Sequence, residues 1–334
     1  MLMFAVEWDA AIALLLAAFL DYLIGDPWGW PHPVRVMGWA IAHYTNFVKH
    51  HLPDKRQRRI AGIFLGLGLI GSSAFVGWFL VESATWIHPL FGTLIAAIML
   101  ASCFAGRSLR AATEDVLVPL RQGDLATART KLSYYVGRDT HNLSESEILR
   151  ALLETIAENT TDGATAPLFY AIVGALIPGV GSVPFALAYK AASTLDSMVG
   201  YRTKPLAELG WFSAQLEDRL TWLPCRLTVL AIALFSGKPR RVWQLCCRDA
   251  PQDPSPNSGW SECAYAAALG VQLGGTNTYN GIVKEKPRLG ESDRAISLEE
   301  ITRSLFLMRA CLLLGLLFFL ACWLSMAILA PSEG

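Results

Sequence analysis

The sequence has little charge, and no excess of either sign. Of its 334 residues 17% are charged, against roughly 25% in an ordinary soluble domain, and 28 basic residues balance 28 acidic ones. This balance excludes the basic footprint of a nucleic-acid-binding protein and the charge excess of a disordered chain. We therefore predict a folded protein that does not bind nucleic acid.

Familiar motifs for cofactor and metal sites are also missing. The seven cysteines include no CxxC pair, so the sequence predicts neither a disulfide framework nor a zinc knuckle. There is no GxxxxGK phosphate-binding loop and no internal repeat. The motifs therefore do not reveal how the chain would bind a nucleotide.

Long uncharged runs are what the sequence has instead. Residues 60–81 and 310–330 are each long enough to cross a hydrocarbon core about 30 Å thick. Shorter runs at 10–25 and 90–106 are also predicted to span the membrane. Acidic rather than basic residues precede the first run, so we expect a retained helix and not a signal peptide.

Residues 163–189 form a different kind of apolar segment. They lack charge but contain three prolines, which divide the segment. Irregular backbone is tolerated at membrane depth only where protein or water satisfies its polar groups. We predict a broken or re-entrant helical hairpin that lines a site, with two short ordinary spans as the open alternative. Residues 220–237 contain Pro224 and Arg226, so an interfacial position and one against the helix bundle both remain open.

Basic residues indicate which side of the membrane is cytoplasmic. Lysine and arginine accumulate in cytoplasmic loops, and they are frequent in 49–59 but absent from 82–89. The resulting topology has both termini outside and three cytoplasmic segments, 107–162, 190–219 and 238–303. We therefore predict an all-α, polytopic inner-membrane protein, a single domain over 1–334, with its site in cytoplasmic helices and loops.

An acidic stripe precedes the broken segment. Ser144 and Glu147 have capping-box spacing, which predicts a helix start. Glu154, Glu158 and Asp162 follow at steps of four residues, so they share one helix face on which like charges repel. A bound cation would relieve this repulsion, and Mg²⁺ prefers oxygen ligands. We predict a Mg²⁺ site at these three carboxylates, with a solvated acidic face as the alternative.

Two further segments carry residue types suited to phosphate. The first places a cation, an acid and hydroxyls close together after the hairpin, at Lys190, Ser193, Asp196 and Ser197. Such groups can contact phosphate, bind metal or act as a base, although a polar helix end is the alternative. The second contains Ser255, Asn257 and Ser258 in a turn-rich stretch that can aim backbone N–H groups at an anion. Ordinary turn formation is the more usual role of such residues.

Short motifs recur along most of the chain, and they include Asp21-Tyr-Leu-Ile-Gly-Asp26-Pro27, Arg138-Asp139-Thr140, Glu154-Thr-Ile-Ala-Glu158-Asn159, Tyr189-Lys190-Ala, Ser193-Thr-Leu-Asp196-Ser197-Met198, Ser255-Pro-Asn-Ser-Gly259 and Leu269-Gly270-Val. In their order and number these motifs resemble the membrane-bound adenosylcobinamide-phosphate synthases of cobalamin biosynthesis, the CbiB/CobD family. The chain departs from the family pattern at Glu217-Asp218, where two aspartates are usual. Glutamate keeps the charge, so only the local geometry differs.

The resemblance implies an ATP-dependent ligase that joins a corrinoid, adenosylcobyric acid, to aminopropanol phosphate through an acyl phosphate, with Mg²⁺. The implied roles are Mg²⁺ binding by Glu154, Glu158 and Asp162, phosphate contact by Lys190, positioning or deprotonation of the amine by Asp139 or Asp196, pairing of Arg138 with a phosphate or carboxylate, and substrate binding by Ser193, Ser197, Ser255, Asn257 and Ser258. Association with other cobalamin-assembly enzymes stays open. A membrane transporter and a non-enzymatic membrane sensor or scaffold are the alternatives.

Overall fold

The structure, a computed structural model, describes residues 8–25, 32–201 and 206–329. These residues are mostly helical. The helices are α1 (Trp8–Leu23), α2 (Pro33–His51), α3 (Lys55–Ile87), α4 (Pro89–Ala101), α5 (Gly106–Arg121), α6 (Leu125–Leu132), α7 (Glu145–Thr160), α8 (Ala166–Ala175), α9 (Ser182–Val199), α10 (Trp211–Phe235), α11 (Pro239–Asp249), α12 (Ser258–Leu269) and α13 (Leu298–Leu329). A π-helical turn, Thr161–Thr165, joins α7 to α8, and two strands, β1 (Gln272–Tyr279) and β2 (Ile282–Gly290), follow α12. The predicted motif residues Asp26 and Pro27 lie outside the described residues.

The chain forms two compact units. Unit 1 comprises the described residues of 1–104, 166–220 and 315–334, and unit 2 comprises 105–165 and 221–314. Each unit is therefore assembled from separate stretches of the chain. Because the stretches alternate along the chain, each unit brings together residues that are distant in sequence.

Unit 1 is held together around α3 and α9. Asp54 begins α3 by accepting a hydrogen bond from the Gln57 N–H at 3.1 Å. Farther along α3, Gly77 permits close packing, since a Cβ atom there would lie 2.6 Å from Cδ1 of Leu187 on α9. A larger residue at position 77 would force the two helices apart, so this glycine has a steric role.

The broken apolar segment of unit 1 is a helical hairpin. Helix α8 has ten residues, about 15 Å at 1.5 Å per residue, and it packs against α9. The connection holds Gly179 and Gly181 at φ values of 75° and 82°, which favour glycine. The predicted break is therefore present. The length of α8 is half of a hydrocarbon core of about 30 Å, and its re-entry into a membrane stays a prediction.

Among the described residues, three helical segments are long and apolar enough to cross a membrane, namely Lys55–Ile87, Pro89–Arg121 and Leu298–Ser325. They contain or overlap the predicted spans at 60–81, 90–106 and 310–330. The second segment passes through α4 and α5. The span predicted at 10–25 corresponds to α1, whose 16 described residues are about 24 Å long; its crossing stays a prediction.

Unit 2 contains an antiparallel β-hairpin packed with α7, α11 and α12 around a shared core. The two residues between its strands are Asn280 and Gly281, with φ values of 50° and 76°. Positive φ at both positions is typical of a tight two-residue hairpin turn, for which Asn-Gly is the preferred sequence. The expectation of an all-α chain is therefore wrong for this segment, because turn chemistry here joins two strands.

Candidate functional site

Helix α7 begins with the predicted capping box. Ser144 Oγ accepts a hydrogen bond from the Glu147 N–H at 3.4 Å, and the Glu147 carboxylate accepts from the Ser144 N–H at 2.7 Å. The bonds from the Ser144 backbone and side chain hold the pKa of Glu147 below its ordinary value. The Glu147 carboxylate is thus engaged in capping the N-terminus of α7, which confirms the predicted start of the helix.

Glu154 is buried in unit 2 between two arginines. It forms an ion pair with Arg138, a second with Arg150 at 3.3 Å, and accepts a hydrogen bond from the Gly274 N–H at 3.0 Å. Burial by itself would raise the pKa of Glu154, but the charges of Arg138 and Arg150 hold it below its ordinary value. Glu154 is therefore an ionised carboxylate whose acceptor positions are already used.

The two arginines also attach α7 to the β-hairpin. Arg138 donates to Asn277 Oδ1 at 2.9 Å, and Arg150 donates to the same oxygen at 3.1 Å. Arg150 further donates to the carbonyl oxygens of Gly274 at 2.5 Å and Thr276 at 3.1 Å. Arg138, predicted to pair with a substrate group, pairs here with a protein carboxylate and fixes the hairpin.

Asp139 holds the turn of the same hairpin. Its carboxylate oxygens accept hydrogen bonds from the N–H groups of Asn280 at 3.0 Å and Gly281 at 2.8 Å. Its own N–H donates to the Thr278 carbonyl oxygen at 2.8 Å. These contacts give Asp139 a structural role, and its predicted role toward an amine stays a prediction.

A second ion pair, between a buried glutamate and a partly buried lysine, lies beside Glu154. Lys286 on β2 donates to Oε1 of Glu262 on α12 at 3.1 Å, and the Glu262 side chain is 1% exposed. Burial raises the pKa of Glu262 to about 8; Lys286 opposes this shift, while Glu154 and Glu158 add to it. Burial by itself would lower the pKa of Lys286, but Glu262, Glu154 and Glu158 raise it above its ordinary value. Lys286 therefore remains charged.

Two acids complete the surroundings of Lys286. Glu158 on α7 retains access to solvent, yet desolvation by the surrounding protein raises its pKa. Asp253, which precedes α12, also raises the pKa of Lys286 through its negative charge. We call Glu158, Asp253, Glu262 and Lys286 the lysine cluster. All four residues belong to unit 2.

Some buried polar atoms of this region have no hydrogen-bond partner. They are Oε2 of Glu262, Oδ2 of Asp253 and Nδ2 of Asn277. Unsatisfied buried polar atoms are uncommon in native proteins, and each calls for a physical explanation. Here two of the three are carboxylate oxygens of the lysine cluster.

A hydroxyl group of the loop before α12 forms hydrogen bonds within the loop. Ser255 Oγ accepts hydrogen bonds from the N–H groups of Asn257 at 3.3 Å and Ser258 at 3.1 Å. Asp253 accepts from the Ser255 N–H at 2.9 Å. Arg226 donates to Asn257 Oδ1 at 3.1 Å and lies 4.5 Å from the centre of the Trp260 ring. The amides predicted to meet an anion are thus engaged by Ser255, which fits ordinary turn formation.

The remaining predicted residues are distributed over both units. Lys190, Ser193 and Ser197 lie on one face of α9 in unit 1, since their spacings of three and seven residues superpose on a helix. Asp196 follows Ser193 by three residues. Asp162 lies in the π-helical turn of unit 2.

The carboxylate set predicted for Mg²⁺ fits only in part. Among the residues that the structure describes, no three His, Cys, Asp or Glu side chains converge as metal ligands. Glu154 does not fit, because Arg138, Arg150 and a backbone amide occupy its oxygens. Glu158 and Asp162 have the oxygen atoms that Mg²⁺ prefers, and their role as its ligands stays a prediction.

The sequence reasoning missed Asp253, Glu262 and Lys286. Glu262 does leave a signal, because it is the only charged residue in the otherwise uncharged helix α12. Lys286 leaves none, since β2 also contains Lys284, Glu285 and Arg288. A lysine in such a strand is expected to be exposed to solvent.

The fold and these sites define a mostly helical protein with segments of membrane-spanning character and a buried, charged site in its hairpin-bearing unit. Residues 14–308 match the model of the family described as CobD/Cbib protein. The chain is 53% identical to the cobalamin biosynthesis protein CobD of Synechocystis over 97% of its length and 95% of the relative's. It is 41% identical to the cobalamin biosynthesis protein CbiB of Salmonella arizonae, over 94% and 98% of the two lengths.

This protein belongs to the CobD/CbiB family. Its relatives are named for cobalamin biosynthesis, which supports a role in that process. No solved structure matches the chain.

Proposed function

We propose that this protein is an ATP-dependent ligase of cobalamin biosynthesis, which joins adenosylcobyric acid to aminopropanol phosphate and yields adenosylcobinamide phosphate. The observation that carries the proposal is membership of the CobD/CbiB family over nearly the whole chain. The buried ion pairs of unit 2 supply charged groups suited to such chemistry.

A carboxylate and an amine do not condense unaided at neutral pH. In the proposed reaction the substrate carboxylate attacks the γ-phosphoryl group of ATP, ADP leaves, and an acyl phosphate forms. The amine then attacks the acyl carbon, loses a proton and expels inorganic phosphate. Fixed cations stabilise the charge that develops on the transferring phosphoryl group.

Unit 2 offers separate groups for structure and for chemistry. Glu154 and Asp139 hold the hairpin in place through their ion pairs and hydrogen bonds. Glu158 and Asp162 would hold Mg²⁺, which would neutralise phosphate charge when bound. On α9, Lys190 and Asp196 keep the roles of phosphate contact and amine positioning that the family resemblance implies.

The membrane context suits a corrinoid substrate, because the macrocycle is large and partly apolar. Three segments in the described part of the chain are long and apolar enough to span a bilayer. We place the protein in the inner membrane with its site on the cytoplasmic side, where the basic segments of the sequence accumulate. ATP is available on that side.

Product formation by the purified protein tests the proposal. The full chain in detergent receives adenosylcobyric acid, aminopropanol phosphate, ATP and Mg²⁺, and mass spectrometry detects the amide. We expect amide formation that requires every component. Parallel reactions omit one component at a time, and one replaces the amine with unphosphorylated aminopropanol.

The alternatives predict different results. A transporter moves a corrinoid into proteoliposomes without forming an amide, and a sensor or scaffold binds it without transport or product. Folded protein that forms no amide from either amine contradicts the ligase proposal.

A further inference from the structure

Lys286 is shared among more carboxylates than it can neutralise. The charge of Glu154 is neutralised by Arg138 and Arg150. Glu158 is exposed to solvent, where a separate ligand can reach it. This leaves Glu262 and Asp253 with one lysine between them. If both carboxylates were ionised, one ammonium would leave an excess of one negative charge, which agrees with the raised pKa of Glu262.

Two carboxylate oxygens of this pair lack a hydrogen-bond donor. Glu262 gives Oε1 to Lys286, whereas its Oε2 is buried without a partner. Asp253 gives Oδ1 to the Ser255 N–H, whereas its Oδ2 is likewise buried without a partner. A buried acceptor without a donor is destabilising. An ammonium group has donors for such oxygens and carries the charge that would stabilise their ionised form.

The geometry favours an ammonium group over a metal ion. Among the described residues no three His, Cys, Asp or Glu side chains converge as metal ligands, so a metal ion held by protein groups alone does not fit these oxygens. An ammonium group has three donors, each of which reaches a separate acceptor at about 2.7–3.2 Å. The cluster already binds one such group, the Lys286 Nζ, at 3.1 Å.

We propose that Glu262 and Asp253 bind the ammonium group of the amine substrate, a primary amino alcohol or its phosphate ester. This inference rests on the proposed ligase function, which requires an amine. Glu262 then has two partners, Lys286 on Oε1 and the substrate on Oε2. Lys286 positions Glu262 and does not itself touch the ammonium.

The test compares an amine with an amine-free analogue. Aminopropanol phosphate and 1,2-propanediol phosphate are titrated separately into the detergent-solubilised full chain by calorimetry. The variants are Glu262→Gln and Asp253→Asn, which keep side-chain size and remove charge. Glu299→Gln is the matched control, because Glu299 is exposed and its nearest pairing, with Arg303, spans 4.0 Å.

We expect the wild-type protein to bind the amine at least tenfold more tightly than the diol ester. Each cluster variant should lose this preference, while the control keeps it. The KM for the amine should rise tenfold or more in the amide assay, with the KM values for ATP and the corrinoid unchanged. A purely structural role would shift all three KM values together.

The double variant Glu262→Gln/Lys286→Met removes both charges of the ion pair, so it addresses the case in which Glu262→Gln fails to fold. We expect it to fold and to lack the amine preference. Wild-type preference for the amine in either Glu262 variant overturns the inference, and so does equal loss of both ligands. If the wild-type protein forms no amide, the ligase proposal fails, and the titrations alone decide whether the ammonium site exists.

Discussion

Removal of the Glu154 charge should destabilise unit 2 strongly. Glu154 is 3% exposed and joins Arg138 and Arg150, which are 8% and 14% exposed. The change Glu154→Gln keeps the size of the side chain but leaves two buried guanidinium groups without their carboxylate. Because both arginines also bind Asn277, the variant should loosen the β-hairpin as well.

The magnitude follows from the burial of the pair. Removing one partner of a buried ion pair costs about 3–5 kcal/mol, because the remaining charge stays desolvated. For a unit of this size each kcal/mol lowers Tm by about 2–4 °C. We therefore expect Tm to fall by roughly 6–20 °C.

Thermal unfolding of the detergent-solubilised protein measures this effect, and hydrogen exchange of residues 272–290 measures the loosening of the hairpin. Glu299→Gln is the control, because an exposed i,i+4 pair contributes less than about 1 kcal/mol. A Glu154→Gln variant that unfolds within 2 °C of the control would refute the inference that this ion pair holds unit 2 together.

Three further predictions follow from the same region. Asp139→Ala should speed amide hydrogen exchange at Asn280 and Gly281 by roughly 10-fold or more, since each hydrogen bond to a charged acceptor contributes about 1.5–3 kcal/mol; unchanged exchange would contradict its role at the turn. Burial raises the pKa of Glu262 from its ordinary 4.5 to about 8, so its contribution to stability is complete below pH 4.5 and declines as the pH rises through 8. The wild-type protein should therefore lose stability between pH 6 and 8 relative to Glu262→Gln, by at most about 1.4 kcal/mol per pH unit, and parallel denaturation curves would contradict this shift. Glu158→Gln should abolish amide formation while membrane insertion persists. Chelation of Mg²⁺ should also abolish amide formation. An active variant would remove Glu158 from the proposed metal site.

Local signals predicted much of the fold. The capping box at Ser144 and Glu147 located the start of α7, because this pairing depends only on residues close in sequence. The apolar runs located the three helical segments that, among the described residues, are long and apolar enough to cross a membrane, since length and hydropathy decide this property.

The β-hairpin was not predicted from the sequence, because its strands lack a strong local signal. Asn280-Gly281 is a strong hairpin turn, yet its flanking strands contain glycines and charges in place of alternating apolar residues. Their pairing is supported by contacts with Arg138, Asp139 and Arg150, which lie more than 120 residues away. Such long-range support is not visible in a sequence window.

The candidate site shows the same division. The spacing of Glu154 and Glu158 places them on one helix face, but spacing does not reveal that two arginines form ion pairs with Glu154, whereas no described residue forms an ion pair with Glu158. Nor does it reveal that Lys286 reaches Glu262 from another element. Charge partners from distant elements therefore decide which carboxylates serve structure and which are available for a ligand.

The fate of the carboxylate oxygens of adenosylcobyric acid tests the central claim most directly. If ATP activates this carboxylate as an acyl phosphate, substrate labelled with ¹⁸O in the reacting carboxylate should transfer one labelled oxygen to the inorganic phosphate released with each amide. Mass spectrometry of the phosphate measures the transfer. Amide formation with unlabelled phosphate, or with the label in AMP, would contradict the proposed acyl-phosphate route.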